Sequence, residues 1–417
     1  MPSMACHRSD RSGGRRLTWL VKSCWPDTLP EAHRKFAHVP PEDHQPSSIS
    51  ALPDDLLTEC LARLPSFSLR SASLVCRKWA ETLSSQAFYD ARRRLGRLNH
   101  LLTAFSGAPS VVLSATLPLS APSDWAPARP LPLSGLTLSH LAVVGRDIYL
   151  LGRTPSAASV TLRYDPWSGS VSPRAPMRRP RKRFAASVIA GKLYVAGGAV
   201  RTLSGGREAV NSVEEYDPIT DTWRDVSVCA TPRYGCQGAS VGGLFFVLGG
   251  VRIVGTAGPR RREGYVYESN MDTYDAEAMT WRRRRAVVPI GGCVVASCGA
   301  GEFVYVLASH AVGVSFWRYD WKRDEWQREP NPAVGEGGAP PVRVDNALRF
   351  TLASAGNRVL LVQTGGSVCD LWRRSGRSGR GSPEGLVLVY HCETGEWSRA
   401  PDLPVAVNGA VCGCVYC

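Results

Sequence analysis

Five times along this chain a tyrosine is followed seven positions later by a tryptophan or, once, a valine: Tyr164 and Val171, Tyr216 and Trp223, Tyr274 and Trp281, Tyr319 and Trp326, Tyr390 and Trp397. The stretch from Lys192 to Trp223 shows what that spacing demands. Lys192 to Ala196 is an apolar, strand-favouring run, and Gly197-Gly198 ends it with residues that tolerate positive φ and close backbone approach. After a variable loop, Pro218 to Asp221 form a four-residue hairpin loop, so Asp217 pairs with Thr222 and Tyr216 with Trp223. Both rings then project from one face of an antiparallel pair. The apolar strand recurs ahead of each aromatic pair, as Asp147 to Gly152, Leu244 to Gly250, Phe303 to Leu307 and Val359 to Gly366.

The double glycine, the Tyr-Asp and the Trp, at a period of about 50 residues, resemble the kelch family, whose repeats each form one four-stranded blade of a β-propeller. One blade cannot bury its aromatic face alone, so blades stack in a ring. Counting Trp125, Val171, Trp223, Trp281, Trp326 and Trp397 as fourth-strand markers predicts six blades. The first is the least regular, with strands expected at Leu101 to Phe105, Val111 to Leu117 and the segment around Trp125. Gly409 to Cys417 is placed to supply its missing strand and close the ring, which removes an exposed sheet edge.

Residues 50 to 95 read differently. Pro53, Asp54 and Asp55 suit a helix start, Leu56, Leu57, Cys60, Leu61 and Leu64 make an apolar stripe, and Pro65 stops it. A second stripe runs Leu69, Ala72, Cys76, Trp79, Leu83, and a third helix is expected from Phe88 through Arg94. Two short amphipathic helices cannot bury both stripes, so the segment needs a partner. Leu52-Pro53-Asp54-Asp55-Leu56-Leu57 through Leu64-Pro65, followed by Val75-Cys76-Arg77-Lys78-Trp79, is similar to the F-box family along most of its motif. That resemblance implies docking on a Skp-type adaptor and, through it, a cullin. The adaptor-facing residues it implies are Leu52, Pro53, Leu56, Leu61, Leu64, Pro65, Val75, Cys76 and Trp79. An F-box followed directly by kelch repeats resembles the plant F-box/kelch-repeat proteins.

The expected fold is therefore mostly β: a six-bladed kelch-type β-propeller over 97–417, preceded by a small α-helical F-box domain over 49–96 and a disordered basic segment over 1–48. The implied function is substrate recognition for a Skp-cullin-F-box ubiquitin ligase, with the propeller holding the protein to be ubiquitinated. The alternative is a kelch scaffold or binding protein that takes no part in degradation.

Composition narrows the chemistry. No apolar run approaches the length a bilayer requires, and no signal-peptide pattern opens the chain, so membrane and secretory roles are not expected. Thirteen cysteines, an odd number, mostly within expected helices and strands, read as reduced thiols of cytoplasm or nucleus. Cys412, Cys414 and Cys417 lack the further ligands a zinc site needs, and His140, His310 and His391 are scattered, so neither metal nor other cofactor is expected. A copper-containing kelch oxidase would need a ligand cluster that the sequence does not offer. No nucleophile elbow or phosphate loop occurs, so the chain is read as non-catalytic.

The net charge is +14, and with six lysines among 50 basic residues arginine supplies 50 − 6 = 44. The run Arg178 to Arg183 admits a nuclear import reading beside that of an exposed inter-blade connection. Nucleic acid is not expected as a partner, because the aromatic residues are committed to blade packing. In a four-stranded up-and-down blade, second-to-third loops and inter-blade connections emerge on one face. That places Arg201, Arg207, Arg252, Arg260 to Arg262, Arg373, Arg374, Arg377 and Arg380 with the inter-blade Arg178 to Arg183, Arg233 with Tyr234, and Arg282 to Arg285, and it places the acidic third-to-fourth turns opposite. Arg183, Arg233 and Tyr234, nearest the central channel, are the expected target-binding residues, for an acidic or phosphorylated segment.

Overall fold

A computed structural model of the protein describes residues 52–107, 111–120, 123–201, 207–229, 231–255, 263–282, 288, 293–310, 313–332, 349–365 and 385–417. The segment 1–48 lies outside the described residues, as do Arg260 to Arg262, Arg283 to Arg285, Arg373, Arg374, Arg377 and Arg380.

Four helices come first: α1 (Asp54–Ala62), α2 (Ser66–Ser73), α3 (Arg77–Ser84) and α4 (Gln86–Arg94). Pro53 caps α1, and Asp54 and Asp55 complement the positive end of its dipole. Ser85 caps α4 by accepting a hydrogen bond from the Phe88 amide at 3.2 Å. Leu57, Leu61, Ala62, Leu69, Leu83, Phe88 and Ala91 form the buried side of the group. The stripe from Leu69 to Leu83 is not one helix. α2 ends at Leu74, and Cys76 is extended at φ −161° before α3 begins, so the chain turns where the β-branched Val75 and Cys76 are poor helix formers.

The remainder is a six-bladed propeller of four-stranded antiparallel sheets. Blade III shows the pattern, with strands Ala185–Ile189, Lys192–Ala196, Ser212–Asp217 and Thr222–Val228. Tyr216 pairs with Trp223 and Asp217 with Thr222, and the same register joins Tyr164 to Val171, Tyr274 to Trp281, Tyr319 to Trp326 and Tyr390 to Trp397. In the four aromatic pairs the ring centroids lie 5.1, 5.3, 4.8 and 5.1 Å apart. Each loop aspartate that follows the tyrosine folds back on the turn: Asp217 accepts from the Ile219 amide, Asp275 from Glu277 and Ala278, Asp320 from Lys322 and Arg323.

Three of the four repeat tryptophans also tie one blade to the next. The Trp223 indole donates to the Ala175 carbonyl of blade II at 2.8 Å, Trp281 to Val228 of blade III at 2.6 Å, and Trp397 to Pro330 of blade V at 2.8 Å. Trp125 does the same to Pro401 of blade VI at 3.0 Å, although the outer strand of its own blade is Arg129–Leu131, beyond the segment around Trp125. The ring is closed by Val411–Tyr416, which pairs with His100–Gly107 as the innermost strand of blade I, from His100 opposite Tyr416 to Phe105 opposite Val411. Gly413 there is closely approached, because a Cβ on it would lie 2.2 Å from Leu141 Cδ2 of the neighbouring blade and displace that side chain.

Candidate functional site

The helices carry the first candidate surface. Leu56, Phe67, Leu74 and Val75 are 50, 84, 79 and 60 % exposed, and Pro53, Cys60, Pro65 and Cys76 are exposed beside them in sequence. Among the described residues, four large apolar side chains within twenty positions are left solvated, which is costly. Of the adaptor-facing residues inferred from sequence, Pro53, Leu56, Pro65, Val75 and Cys76 are exposed, while Leu52, Leu64 and Trp79 are half-buried. Leu61 is corrected: at 3 % exposure it belongs to the core between the helices, one turn from Leu57. Phe67 and Leu74 were missed. The signal was Leu74 directly before Val75-Cys76, hidden by treating Leu69 to Leu83 as a single stripe.

These helices are fastened to the propeller at blade II. This is the blade whose fourth strand carries Val171 in place of a tryptophan, and its nearby Trp167 lies in the third-to-fourth turn. Trp167 is 5 % exposed, with its ring 5.1 Å from Phe88 of α4 and the Arg146 guanidinium 4.7 Å from its centroid. Arg146 donates to the carbonyls of Leu83 and Ser84, at the C-terminal and negative end of α3, at 3.0 and 2.8 Å. Arg92 is buried and reads four acceptors: the carbonyls of Ala62, Leu64 and Arg97, and Ser66 Oγ. Burial pushes its pKa down, and the carbonyl dipoles at the end of α1 offset the absence of a paired carboxylate. Sequence reasoning missed this joint, because a tryptophan outside the repeat register has no periodic signature.

The second candidate surface is the mouth of the central channel, a cavity of about 1450 Å³ lined by the first strands of all six blades. Helices and mouth occupy opposite ends of those strands. In blade II, Thr137 opposite Arg153 marks the mouth, and Arg146 in the turn at the far end holds the helices. Eight residues, Thr137–Val144, separate them, or roughly 26 Å of strand.

At the mouth the arginines divide. Arg233, inferred from sequence to bind the target, is corrected: it is fully buried, and it donates to the Gly249 carbonyl at 3.1 Å, to Asn270 Oδ1 at 2.7 Å and to Asp272. Tyr234 beside it is 9 % exposed and packs edge-on against Tyr265. Arg181 repeats the arrangement one blade earlier, reaching the Gly197 carbonyl, the Ser212 carbonyl and hydroxyl, and Glu214. Each arginine stands sixteen positions before the first glycine of its Gly-Gly pair, which is the signal that could have separated them from surface arginines. Glu214 also accepts the amides of Arg178 and Arg179, so the basic run is folded into blade III rather than presented as a free peptide. Arg178 pairs with Asp225, Arg252 with Glu268 and Arg282 with Asp275. Arg183 is exposed at the mouth, as inferred from sequence, with Arg153 and Arg349 lining the same cavity.

Burial pushes the thiol of Cys236 up to about 11 and those of Cys412 and Cys414 to about 12, so they stay protonated. The ring of His140, stacked 4.2 Å from Phe184, is driven down to about 4 by burial.

The family model described as "F-box domain" matches residues 49–91, and that described as "Kelch motif" matches 180–227. The chain is 42 % identical to F-box/kelch-repeat protein At5g26960 of Arabidopsis thaliana, over 98 % of this chain and 99 % of that one. It is 26 % identical to F-box/kelch-repeat protein At1g16250 of the same plant, over 90 and 98 % of the two chains. With four helices over the first match, a six-bladed propeller after them and near-complete alignment to a relative of this identity, the chain belongs to the F-box/kelch-repeat protein family.

Proposed function

We propose that the protein is the substrate receptor of a Skp-cullin-F-box ubiquitin ligase. A Skp-type adaptor covers the apolar surface formed by Leu56, Phe67, Leu74 and Val75 with Pro53 and Pro65, and links the chain to a cullin. The propeller holds the target at the opposite, basic mouth. The chain makes and breaks no bond itself: it raises the effective concentration of a target lysine beside the ubiquitin-charged partner. The joint of Arg92, Arg146 and Trp167 supports this reading, because a receptor that positions its cargo needs a stiff connection between its two surfaces. Cytoplasm or nucleus is the compartment proposed, and no described helix is long and apolar enough to cross a membrane.

The observation that carries the proposal is the exposure of Phe67, Leu74 and Val75 in a segment matched by the F-box family model. The test is co-purification of a Skp-type adaptor with the wild-type chain and with Leu74→Asp/Val75→Asp. Both residues are solvent-facing, so the variant folds, and adaptor recovery drops at least a hundredfold. Recovery equal to wild type would refute the assignment and leave a kelch binding protein with no part in degradation.

A further inference from the structure

The mouth is uneven around its circumference. Among the described residues that line the channel there is no aspartate or glutamate, while Arg153, Lys182, Arg183 and Arg349 all face into it. Neighbouring arginines are neutralised at short range: Arg178 by Asp225, Arg181 by Glu214, Arg233 by Asp272 and Arg252 by Glu268. Arg153, Arg183 and Arg349 have no ion pair or side-chain hydrogen bond with any described residue. They belong to blades II, III and VI, and the described lining from blade I between them, Gly409 to Cys414, carries no charge. Arg183 is fixed at φ 52°, a left-handed conformation rare for a side chain of this size, and its carbonyl accepts the Gly235 amide at 2.6 Å. That backbone holds the guanidinium at the channel while Phe184 is buried behind it.

Toward blade IV the described lining turns aromatic, and the one charged pair there, Arg252 with Glu268, is internally neutralised. Over blade IV the hairpin Val251–Gly255 with Glu263–Tyr267 carries Tyr265, Val266 and Tyr267, which are 49, 41 and 37 % exposed. Tyr267 lines the channel, and its hydroxyl accepts the Val294 amide at 2.9 Å. The cavity exceeds the usual range for a small-molecule pocket. A polyanion would use the guanidinium side and leave the hairpin wet; a purely apolar partner would leave three guanidinium groups desolvated without a counter-charge.

We infer that the mouth recognises a short peptide segment in which an anionic residue adjoins a large apolar one. The anionic group lies against Arg153, Arg183 and Arg349, and the apolar side chain lies on Tyr265 and Tyr267, which share one face of their strand. This deepens the receptor reading by giving the target's recognition segment a chemistry, and it stands or falls separately from adaptor binding.

The experiment selects a displayed library of random twelve-residue peptides on the immobilised full-length chain, then measures synthetic copies of the enriched peptides by fluorescence anisotropy. Enriched peptides should carry Asp or Glu beside Phe, Trp, Tyr or Leu. Arg153→Glu/Arg349→Glu should weaken them at least tenfold, and Tyr265→Ser threefold or more, with the adaptor still co-purifying. Arg183→Gly removes a guanidinium while relieving the left-handed backbone, so it should raise the melting temperature and lower affinity together, which separates lost contact from lost fold. Replacing Glu by phosphoserine in the best peptide tells a phosphate source from a carboxylate source by which binds tighter. The inference is overturned if no peptide is enriched, if enriched peptides lack acidic residues, if charge reversal leaves affinity unchanged, or if a twenty-nucleotide single strand binds as tightly as the best peptide. Failure of adaptor co-purification with peptide binding intact would refute the ligase role and leave the mouth assignment standing.

Discussion

Four helices of eight or nine residues leave Leu56, Phe67, Leu74 and Val75 half or more exposed, whereas the propeller buries Tyr216, Tyr274, Tyr319 and Tyr390 to 2 % or less. The difference is one of repetition. Each blade has a neighbour of the same pattern to receive its aromatic face, so the ring satisfies its own apolar surface. Among the described residues the helical group has no such neighbour beyond its joint with blade II, and its outward residues stay exposed. The propeller keeps charge available instead: Arg181 and Arg233 are consumed in buried pairs, and Arg153, Arg183 and Arg349 are left over. The two surfaces therefore differ in chemistry as well as position, one apolar and one cationic.

Removing the strand that closes the ring is the strongest way to break this comparison. Deletion of residues 409–417 strips the pairing partner from His100–Gly107 and takes away the buried Cys412, Val415 and Cys417. A loss above about 5 kcal/mol is expected, seen as insolubility or a broad, non-cooperative melt. Unchanged melting of the truncated chain would show that the ring does not depend on closure.

The two kinds of arginine give a smaller and sharper contrast. Arg181→Ala leaves Glu214 buried without its cation and should cost about 3–5 kcal/mol. Arg183→Gly, two positions along, should stabilise by about 1 kcal/mol, since only the left-handed strain is lost. Chemical denaturation of both variants checks this; equal effects would mean that the division between structural and available arginines is wrong.

Most of the fold was legible because it rests on local periodicity. Tyr216 to Trp223 spans one hairpin, and its register follows from loop length alone, so the blade count and pairing could be read without long-range information. What could not be read depends on contacts between distant segments. Arg181 and Arg183 are chemically identical in sequence, and only the approach of Glu214, thirty-three positions away, buries one of them. Arg153 and Arg349 come to one cavity through ring closure, and Trp167 gains its role because the helices dock at blade II. At α2 and α3 the failure was of another kind: apolar spacing continued through Leu74 to Cys76 while the backbone did not, since spacing registers which residues are apolar and not where a chain of weak helix formers will turn.

His140 offers the smallest effect and a check on how well the channel wall excludes water. Its pKa falls from 6.5 in the unfolded chain to about 4, because burial disfavours the charged ring. A depressed folded value means that the native state is fully favoured above pH 6.5 and loses stability as pH falls from 6.5 toward 4, by about 1–3 kcal/mol in all. His140→Phe should flatten that part of the pH profile. An identical profile in the variant would show that the ring is solvated.

The central claim is that an apolar surface proposed for the adaptor and a cationic surface proposed for the target lie at opposite ends of one compact unit. Hydrogen exchange of the full-length chain with and without a purified Skp-type adaptor tests it directly. Protection should appear across Pro53 to Leu57 and Ser66 to Arg77, with no change at Phe184, Tyr265 to Ser269 or Arg349 to Ser354 around the mouth. Protection at the mouth segments with the helices unchanged would contradict the account.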